Sequence, residues 1–203
     1  MLRRDLIDGV LAGFLVSIGG AVLLSCDNRY AGAFLFCIAL LTICWFGFNL
    51  YTGKVGFLAK DHSKAALSTA YVGLLGNFLG TLLAGLLVFL AVPALREAAL
   101  AACEKRLTQL PLQTLFRGFF CGVLMYVAVW VYREKKTVVG ILFCIPVFIL
   151  SGFEHSIADM FYFAVSGIVS LKAFVFLWLV IIGNALGAML LPGLNLWGKG
   201  AKA

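Results

Sequence analysis

Six long apolar segments constrain this chain more than any other feature of its sequence. A transmembrane helix needs about 20 consecutive, mostly apolar residues. The segments lie at about residues 6–25, 31–50, 66–92, 114–132, 138–169 and 171–192. Because 63% of the 203 residues are hydrophobic and only 12% are charged, a water-soluble domain is excluded. The sequence predicts an all-α membrane protein with six transmembrane helices, of which the first is a retained helix rather than a signal peptide.

Two of the predicted helices contain an interruption. The fifth segment carries Ser151-Gly152 followed by Glu154 and His155. The second segment is interrupted at Thr52-Gly53, and only a short apolar run follows the interruption. Ionisable residues at membrane depth are costly and are by default candidates for function. Irregular backbone at that depth is tolerated only where it is buried in protein or lines a cavity. We therefore expect Thr52 and His155 to face one cavity.

The two halves of the chain, at about residues 1–95 and 112–195, carry corresponding motifs. These are G-x-x-x-G starting at Gly9 and Gly118, G-N-x-x-G around Asn77 and Asn184, and breaks at Thr52-Gly53 and Ser151-Gly152. With three helices in each half, the second half enters the membrane from the opposite face. The motifs predict one channel domain over residues 1–203, built as an inverted 3+3 repeat with its substrate site near the midplane. The glycines are interpreted as helix-packing positions, and the asparagines as bonds between helices, with substrate binding as the alternative.

The distribution of charge predicts the topology. Ten Lys and Arg residues, among them Lys199 and Lys202, fall on the side of the two termini, and six fall on the other side. This bias places both termini in the cytoplasm and the longest loop, at about 93–113, outside the plasma (inner) membrane. The net charge of +7 is assigned to topology and not to nucleic-acid binding. The six cysteines form no C-x-x-C pair, so no metal, cofactor or disulfide framework is expected.

Several of these motifs resemble the formate/nitrite transporter family. The run Ser151-Gly-Phe-Glu-His-Ser-Ile-Ala-Asp-Met-Phe161 is similar to its fifth-helix signature, Leu50-Tyr51-Thr52-Gly53 is similar to its omega loop, and both G-N-x-x-G motifs match. The resemblance covers nearly the whole chain. It implies aquaporin-like protomers, each with its own pore, assembled as a homopentamer in the lipid bilayer. The implied substrates are small monovalent anions, namely formate, nitrite or hydrosulfide, or their weak acids.

The resemblance also implies roles for individual residues. His155 matches the central pore histidine, Thr52 its hydroxyl partner, Leu40, Leu50 and Tyr51 the cytoplasmic constriction, Phe36 and Phe148 aromatic constriction positions, and Glu154 a carboxylate that braces the loop. Three features depart from the formate channels of the family. Gly122 replaces an asparagine and removes a polar pore contact, Lys54 adds a cation, and the chain begins almost at the first helix, without the N-terminal gating helix. Gly122 and Lys54 fit the hydrosulfide channels of the family at least as well.

A weak acid can pass apolar constrictions in its neutral form. Protonating a carboxylate of pKa near 3.9 at pH 7 costs about 4 kcal/mol, which competes with the cost of desolvating an ion. A histidine beside the site can supply the proton. Lys54 is either a solvated loop cation or an attractor of anions at the cytoplasmic mouth.

Two other classes of protein remain as alternatives. Glu154, His155 and Thr52 suggest a membrane-embedded enzyme, although H-E-x-x-H and G-x-S-x-G motifs are missing from the sequence. A structural protein would not need a titratable residue between two helix breaks. An aquaporin is excluded because the sequence lacks Asn-Pro-Ala.

Overall fold

Helices account for nearly all of the regular structure in this computed structural model, which describes the backbone of residues 1–200 and the side chains of residues 1–198. In chain order the helices are α1 (Leu2–Ser25), α2 (Arg29–Leu35), α3 (Cys37–Phe46), α4 (Tyr51–Lys54), a 3₁₀ segment (Val55–Ala59), α5 (Lys64–Ala91), α6 (Leu95–Leu107), α7 (Pro111–Lys135), α8 (Val139–Leu150), α9 (Ser156–Ser166) and α10 (Leu171–Gly200). The side chains of Lys199 and Lys202, counted in the predicted topology, lie outside the described residues, and the orientation of the termini stays a prediction.

The predicted apolar segments correspond to helices. The helices that are long and apolar enough to cross a membrane are α1, the α2–α3 stretch, α5, α7 and α10. Helices α8 and α9 are shorter and also apolar. The all-α membrane architecture is therefore confirmed. Helices α8 and α9 occupy the predicted fifth segment, and their joint crossing of the membrane stays a prediction. The predicted outer loop at 93–113 contains α6, which the sequence analysis missed.

The two helix breaks are present, but one of them lies earlier than predicted. In the fifth segment, α8 ends at Leu150 and Gly152 adopts a φ of +71°, as the Ser151-Gly152 pair indicated. In the second segment, Gly47 ends α3 with a φ of +74°, whereas Thr52-Gly53 lies inside α4. A left-handed residue after the last turn ends a helix, and glycine adopts this conformation without steric cost. The counterpart of Gly152 is thus Gly47, not Gly53.

The two non-helical segments make corresponding contacts. The backbone N–H of Asn49 donates to the carbonyl oxygen of Asp8 in α1 at 3.3 Å, and that of Glu154 donates to the carbonyl oxygen of Arg117 in α7 at 3.3 Å. Each half therefore fixes its non-helical segment against its own first long helix. The opposite orientation of the halves in the membrane stays a prediction.

Glycines allow the long helices to touch through their backbones. A Cβ atom at Gly13 of α1 would collide with the carbonyl oxygen of Asn77 in α5, and one at Gly122 of α7 would collide with that of Asn184 in α10. The interpretation of the glycine motifs as packing positions is confirmed. Gly122 was also interpreted as a missing polar contact in the pore, and this is wrong, because the position faces the backbone of α10 and has no room for a side chain.

Candidate functional site

His155 and Thr52 form a buried pair where the two interrupted segments meet. His155 ends the non-helical segment before α9, and its Nε2 lies 2.8 Å from Oγ1 of Thr52 in α4. Their exposed fractions are only 3% and 0%. The Nδ1 atom accepts the backbone N–H of Ala158 at 3.2 Å, so the imidazole also caps α9.

These contacts assign the proton on the imidazole. A backbone N–H only donates, so Nδ1 of His155 carries no proton in this arrangement. The ring proton of the neutral imidazole then lies on Nε2 and is donated to Thr52. The hydroxyl proton of Thr52 is left available for a further acceptor, such as an oxygen or sulfur atom of a ligand.

Two aromatic rings extend from this pair into a cavity of 290 Å³, which we name the aromatic vestibule. The Phe148 ring stacks on His155 with centroids 5.6 Å apart, and Phe36 meets Phe148 edge-on at 6.2 Å. All three line the aromatic vestibule. Phe36, Phe148 and His155 therefore line one cavity, and a constricting role for the two phenylalanines stays a prediction.

A second cavity, of 260 Å³, is lined by Leu40, Leu50, Lys54 and Arg133, and we name it the basic vestibule. Leu50 and Gly53, which lie on either side of Thr52 in the chain, line the basic vestibule, whereas His155 lines the aromatic vestibule. The Thr52–His155 pair therefore connects the linings of the two cavities. Tyr51 is among the lining residues of neither cavity. Its hydroxyl donates to the carbonyl oxygen of Ile181 at 3.3 Å, and its place in a constriction stays a prediction.

Two buried asparagines hold the backbone of the interrupted segments. Nδ2 of Asn77 donates to the carbonyl oxygens of Gly9 and Asn49 at 2.8 and 2.9 Å, and its Oδ1 accepts the N–H of Tyr51 at 2.9 Å. The bonds to Asn49 and Tyr51 pair backbone groups that the break leaves without helical partners. The asparagine is therefore occupied by bonds between helices.

Asn184 repeats this arrangement in the second half. Its Nδ2 donates to the carbonyl oxygens of Gly118 and Glu154 at 2.8 and 2.9 Å, and its Oδ1 accepts the N–H of Ser156 at 2.9 Å. With Asn77, it explains why the sequence carries a G-N-x-x-G motif in each half.

Glu154 ties the segment before His155 to α6. Its Oε1 accepts from Nε2 of Gln109 at 2.6 Å, and its Oε2 lies 3.0 Å from Nε of Arg106, which also meets Asp159 at 2.8 Å. The contacts fit the bracing role that the resemblance implied. Sequence reasoning missed Arg106 and Asp159, although Asp159 is an acid inside an apolar segment and satisfies the criterion that singled out Glu154.

Comparison with known proteins identifies the family. The sequence model of the family described as "Formate/nitrite transporter" matches residues 2–198. The uncharacterized transporter YwcJ of Bacillus subtilis is 26% identical over 186 residues, which cover 80% of this chain and 72% of YwcJ. The nitrite transporter NirC of Escherichia coli is 27% identical over 189 residues, which cover 83% and 70% of the two chains.

Solved structures of channels share the fold. An ion channel of the FNT family superposes with a TM-score of 0.82 at 23% identity, covering 98% of this chain and 89% of the channel. A pentameric formate channel with formate bound gives a TM-score of 0.82 at 22% identity, covering 98% of both chains. Because the family match extends over nearly the whole sequence, the chain belongs to the formate/nitrite transporter family.

Proposed function

We propose that the protein is a membrane channel for small monovalent anions of the formate/nitrite class, and that passage is linked to a proton at His155. The observation that carries this proposal is the buried Thr52–His155 pair between two cavities. The names of the NirC relatives and of the formate-bound channel support the substrate class. The family consists of transporters and channels, which argues against the alternative of a membrane-embedded enzyme.

The chemistry of the pair suits a weak acid better than a bare anion. Leu40 and Leu50 on one side, and Phe36 and Phe148 on the other, offer no charge to an ion beside His155. Desolvating an ion there costs several kcal/mol, so the neutral acid is favoured. The hydroxyl of Thr52 donates a hydrogen bond to the substrate.

We propose a proton cycle that starts from the neutral imidazole. A proton taken from water on the entry side charges His155 on Nδ1 and breaks the bond from Ala158, so the charged ring forms only while an anion lies nearby to stabilise it. The anion takes the Nε2 proton through the Thr52 hydroxyl, which gives the neutral acid and a neutral ring protonated on Nδ1. Proton exchange with water then returns the ring to its starting tautomer. The acid crosses the apolar constriction and releases its proton to water on the far side.

Hydrosulfide is the second candidate substrate. Lys54 lines the basic vestibule. The resemblance of this position to the hydrosulfide channels therefore still supports hydrosulfide as a substrate. The argument based on Gly122 no longer applies, because that residue belongs to the packing of α7 and α10. A competition flux panel with formate, nitrite and hydrosulfide on one proteoliposome preparation distinguishes the substrates.

We propose that the chain assembles as a homopentamer in the plasma membrane with both termini in the cytoplasm. The fold shared with a pentameric channel supports this assembly. Large apolar side chains, including Tyr30, Phe34, Trp45 and Phe46, are exposed on the single chain. Such surfaces suit contact with lipid or with a neighbouring protomer. One protomer contains both halves of the proposed repeat, so the pore does not require a second subunit.

Substitution of His155 by phenylalanine tests the proton-linked passage. Phenylalanine keeps the ring stacked on Phe148 but carries no proton, so we expect stopped-flow uptake of weak acids into proteoliposomes to fall by about a hundredfold or more. The matched control is His62→Phe, because His62 is the only other histidine of the chain and is exposed between the helices. Unchanged uptake with unchanged pH dependence in His155→Phe would show that His155 is structural.

A further inference from the structure

Two carboxyl groups in the wall of the aromatic vestibule share one arginine. Glu154 and Asp159 both line this cavity, and both are buried. Nε of Arg106 lies 3.0 Å from Oε2 of Glu154 and 2.8 Å from Oδ1 of Asp159. Two carboxylates that share a site disfavour each other's charge. Because a single guanidinium meets both groups, Arg106 balances only one of the two negative charges.

The further polar partners of this pair belong to Glu154. Its Oε1 accepts from Nε2 of Gln109 at 2.6 Å and lies 3.9 Å from Nη1 of Arg117. Among the described side chains, Oδ2 of Asp159 has no hydrogen-bond partner, and the exposed fraction of Asp159 is 0%. The charged form is therefore supported at Glu154 and not at Asp159.

The free oxygen of Asp159 belongs to a small group of buried atoms without partners. Within residues 1–198, the buried side-chain polar atoms of this kind are Oδ2 of Asp159 and Oγ of Ser156, both in the first turns of α9. Burying an ionised carboxylate without full compensation is so costly that such a group takes up a proton instead. In a protonated Asp159, the proton lies on Oδ2, the oxygen that Arg106 leaves free.

Among residues 1–198, the other ionisable side chains on the elements around Asp159 supply no second positive charge to it. Three of them are uncharged at neutral pH, namely Cys103 in α6, Cys121 in α7 and Tyr162 in α9. Helices α1 and α5 meet α9 near Gly20 and Gly85, and their charged residues lie at the opposite ends. The described lysine of α10, Lys172, is exposed, and Lys54 of α4 lines the basic vestibule.

Two further cations line the aromatic vestibule, and their contacts lie elsewhere. Arg29 donates to the carbonyl oxygen of Ile149 at 2.9 Å. Lys105 is exposed and forms no ion pair with the described side chains. The charge of Asp159 is therefore compensated by Arg106 alone.

Asp159 lies one helical turn after His155. Its backbone N–H donates to the carbonyl oxygen of His155 at 2.9 Å, and both residues line the aromatic vestibule. Nδ1 of His155, which takes up a proton in the proposed cycle, faces the same turn of α9, where it accepts from Ala158. Neighbouring Asp, Glu and His side chains carry protons in membrane pumps and transporters.

We infer that Asp159 is a second proton-binding site, in the wall of the aromatic vestibule, and that it supplies protons to His155. The inference rests on the proposed function for the use of this proton. When an anion enters through the aromatic vestibule, the O–H bond at Oδ2 of Asp159 breaks. The proton passes through water in the cavity to Nδ1 of His155, and the Asp159 carboxylate stays paired with Arg106. Water that enters the vestibule then returns a proton to Oδ2.

Infrared spectroscopy detects the bound proton without a flux measurement. A protonated carboxyl group gives a C=O stretching band that carboxylates lack, and ¹³C labelling of aspartate side chains shifts this band only if an aspartate carries the proton. In full-length protein at neutral pH, in a detergent without ester groups, we expect a band that shifts on aspartate labelling and in heavy water. The band should be absent from Asp159→Asn.

Asp5→Asn is the matched control for this band. Asp5 is also buried, but its two oxygens accept from Asn49 and Ser68, so the band should remain in this variant. A band that shifts only when glutamate is labelled would place the proton on Glu154 and overturn the inference. The absence of any carboxyl band would overturn it as well.

The pH dependence of uptake tests the delivery of the proton to His155. In Asp159→Asn, we expect stopped-flow uptake of formate or nitrite into proteoliposomes to fall to about a tenth of the wild-type rate or less at neutral pH. The ratio of variant to wild-type uptake should recover as the pH is lowered, because water then protonates His155 directly. Asp159→Glu should restore the wild-type ratio, and the exposed Asp27→Asn should not change it. A loss by the same factor at every pH would mean a structural role and reject the inference.

The two measurements separate this inference from the proposed function. An aspartate band that is lost in Asp159→Asn, in a protein without flux, supports proton binding at Asp159 and rejects the proposed channel function. Flux with wild-type pH dependence in Asp159→Asn rejects the inference and leaves the proposed function intact.

Discussion

The clamp made by Asn77 yields a quantitative prediction about stability. In Asn77→Leu, the carbonyl oxygen of Asn49 and the N–H of Tyr51 lose their partners, while the carbonyl oxygen of Gly9 keeps its bond within α1. Each buried polar group left unpaired costs about 1–3 kcal/mol, so the free energy of unfolding falls by roughly 2–6 kcal/mol.

The same loss is expected in the second half of the chain. Asn184→Leu leaves the carbonyl oxygen of Glu154 and the N–H of Ser156 unpaired in the same way. For a chain of about 200 residues, such a loss lowers the midpoint of thermal unfolding by roughly 5–20 °C. Asn195→Leu is the control, because Asn195 lies in the last turns of α10 and is exposed.

The assay follows the fraction of monodisperse protein that remains after heating in mild detergent. Both clamp variants should lose this fraction at lower temperature than the wild type, and the Asn195 control should not. If Asn77→Leu and Asn184→Leu melt at the wild-type temperature, the amide bonds contribute little. In that case the turns at Gly47 and Gly152 are sufficient to hold the two breaks.

Two further predictions concern packing and assembly. Gly122→Leu should greatly lower the yield of folded protein, because a Cβ atom there collides with the backbone of α10. Gly193→Leu should not, since no heavy atom lies within 4 Å of a Cβ built at Gly193. Native mass spectrometry in mild detergent should detect a homopentamer, and a spectrum that contains only monomers or tetramers would contradict the proposed assembly.

Local patterns were sufficient to predict the class of fold and part of the site. The length and apolarity of the segments indicate membrane helices, because the bilayer sets the length of a crossing. The Ser151-Gly152 pair predicted the break before α9, because glycine adopts the left-handed conformation found there without steric cost. His155 and Thr52 were paired through the resemblance, and the structure brings them within 2.8 Å.

The position of the other break could not be derived from sequence. Gly47, Gly53 and Gly56 all follow the second apolar segment, and each is able to take a left-handed conformation. Only Gly47 does so, because Gly53 packs against Val129 and Gly56 against the backbone of α10. The choice among the three glycines is thus made by helices that are distant in the chain.

By itself, the sequence determined that the protein is a helical membrane protein of this family with a titratable residue, His155, between two predicted helix breaks. The tertiary structure alone decided which charges share a cavity. Lys54 and Arg133 are far apart in the chain, as are Arg106 and Asp159, and they meet only because α7 packs beside α4 and α6 beside α9. Helical periodicity indicates which residues of one helix share a face. It does not indicate which partner that face meets, since the partner is selected by complementary packing of the whole bundle.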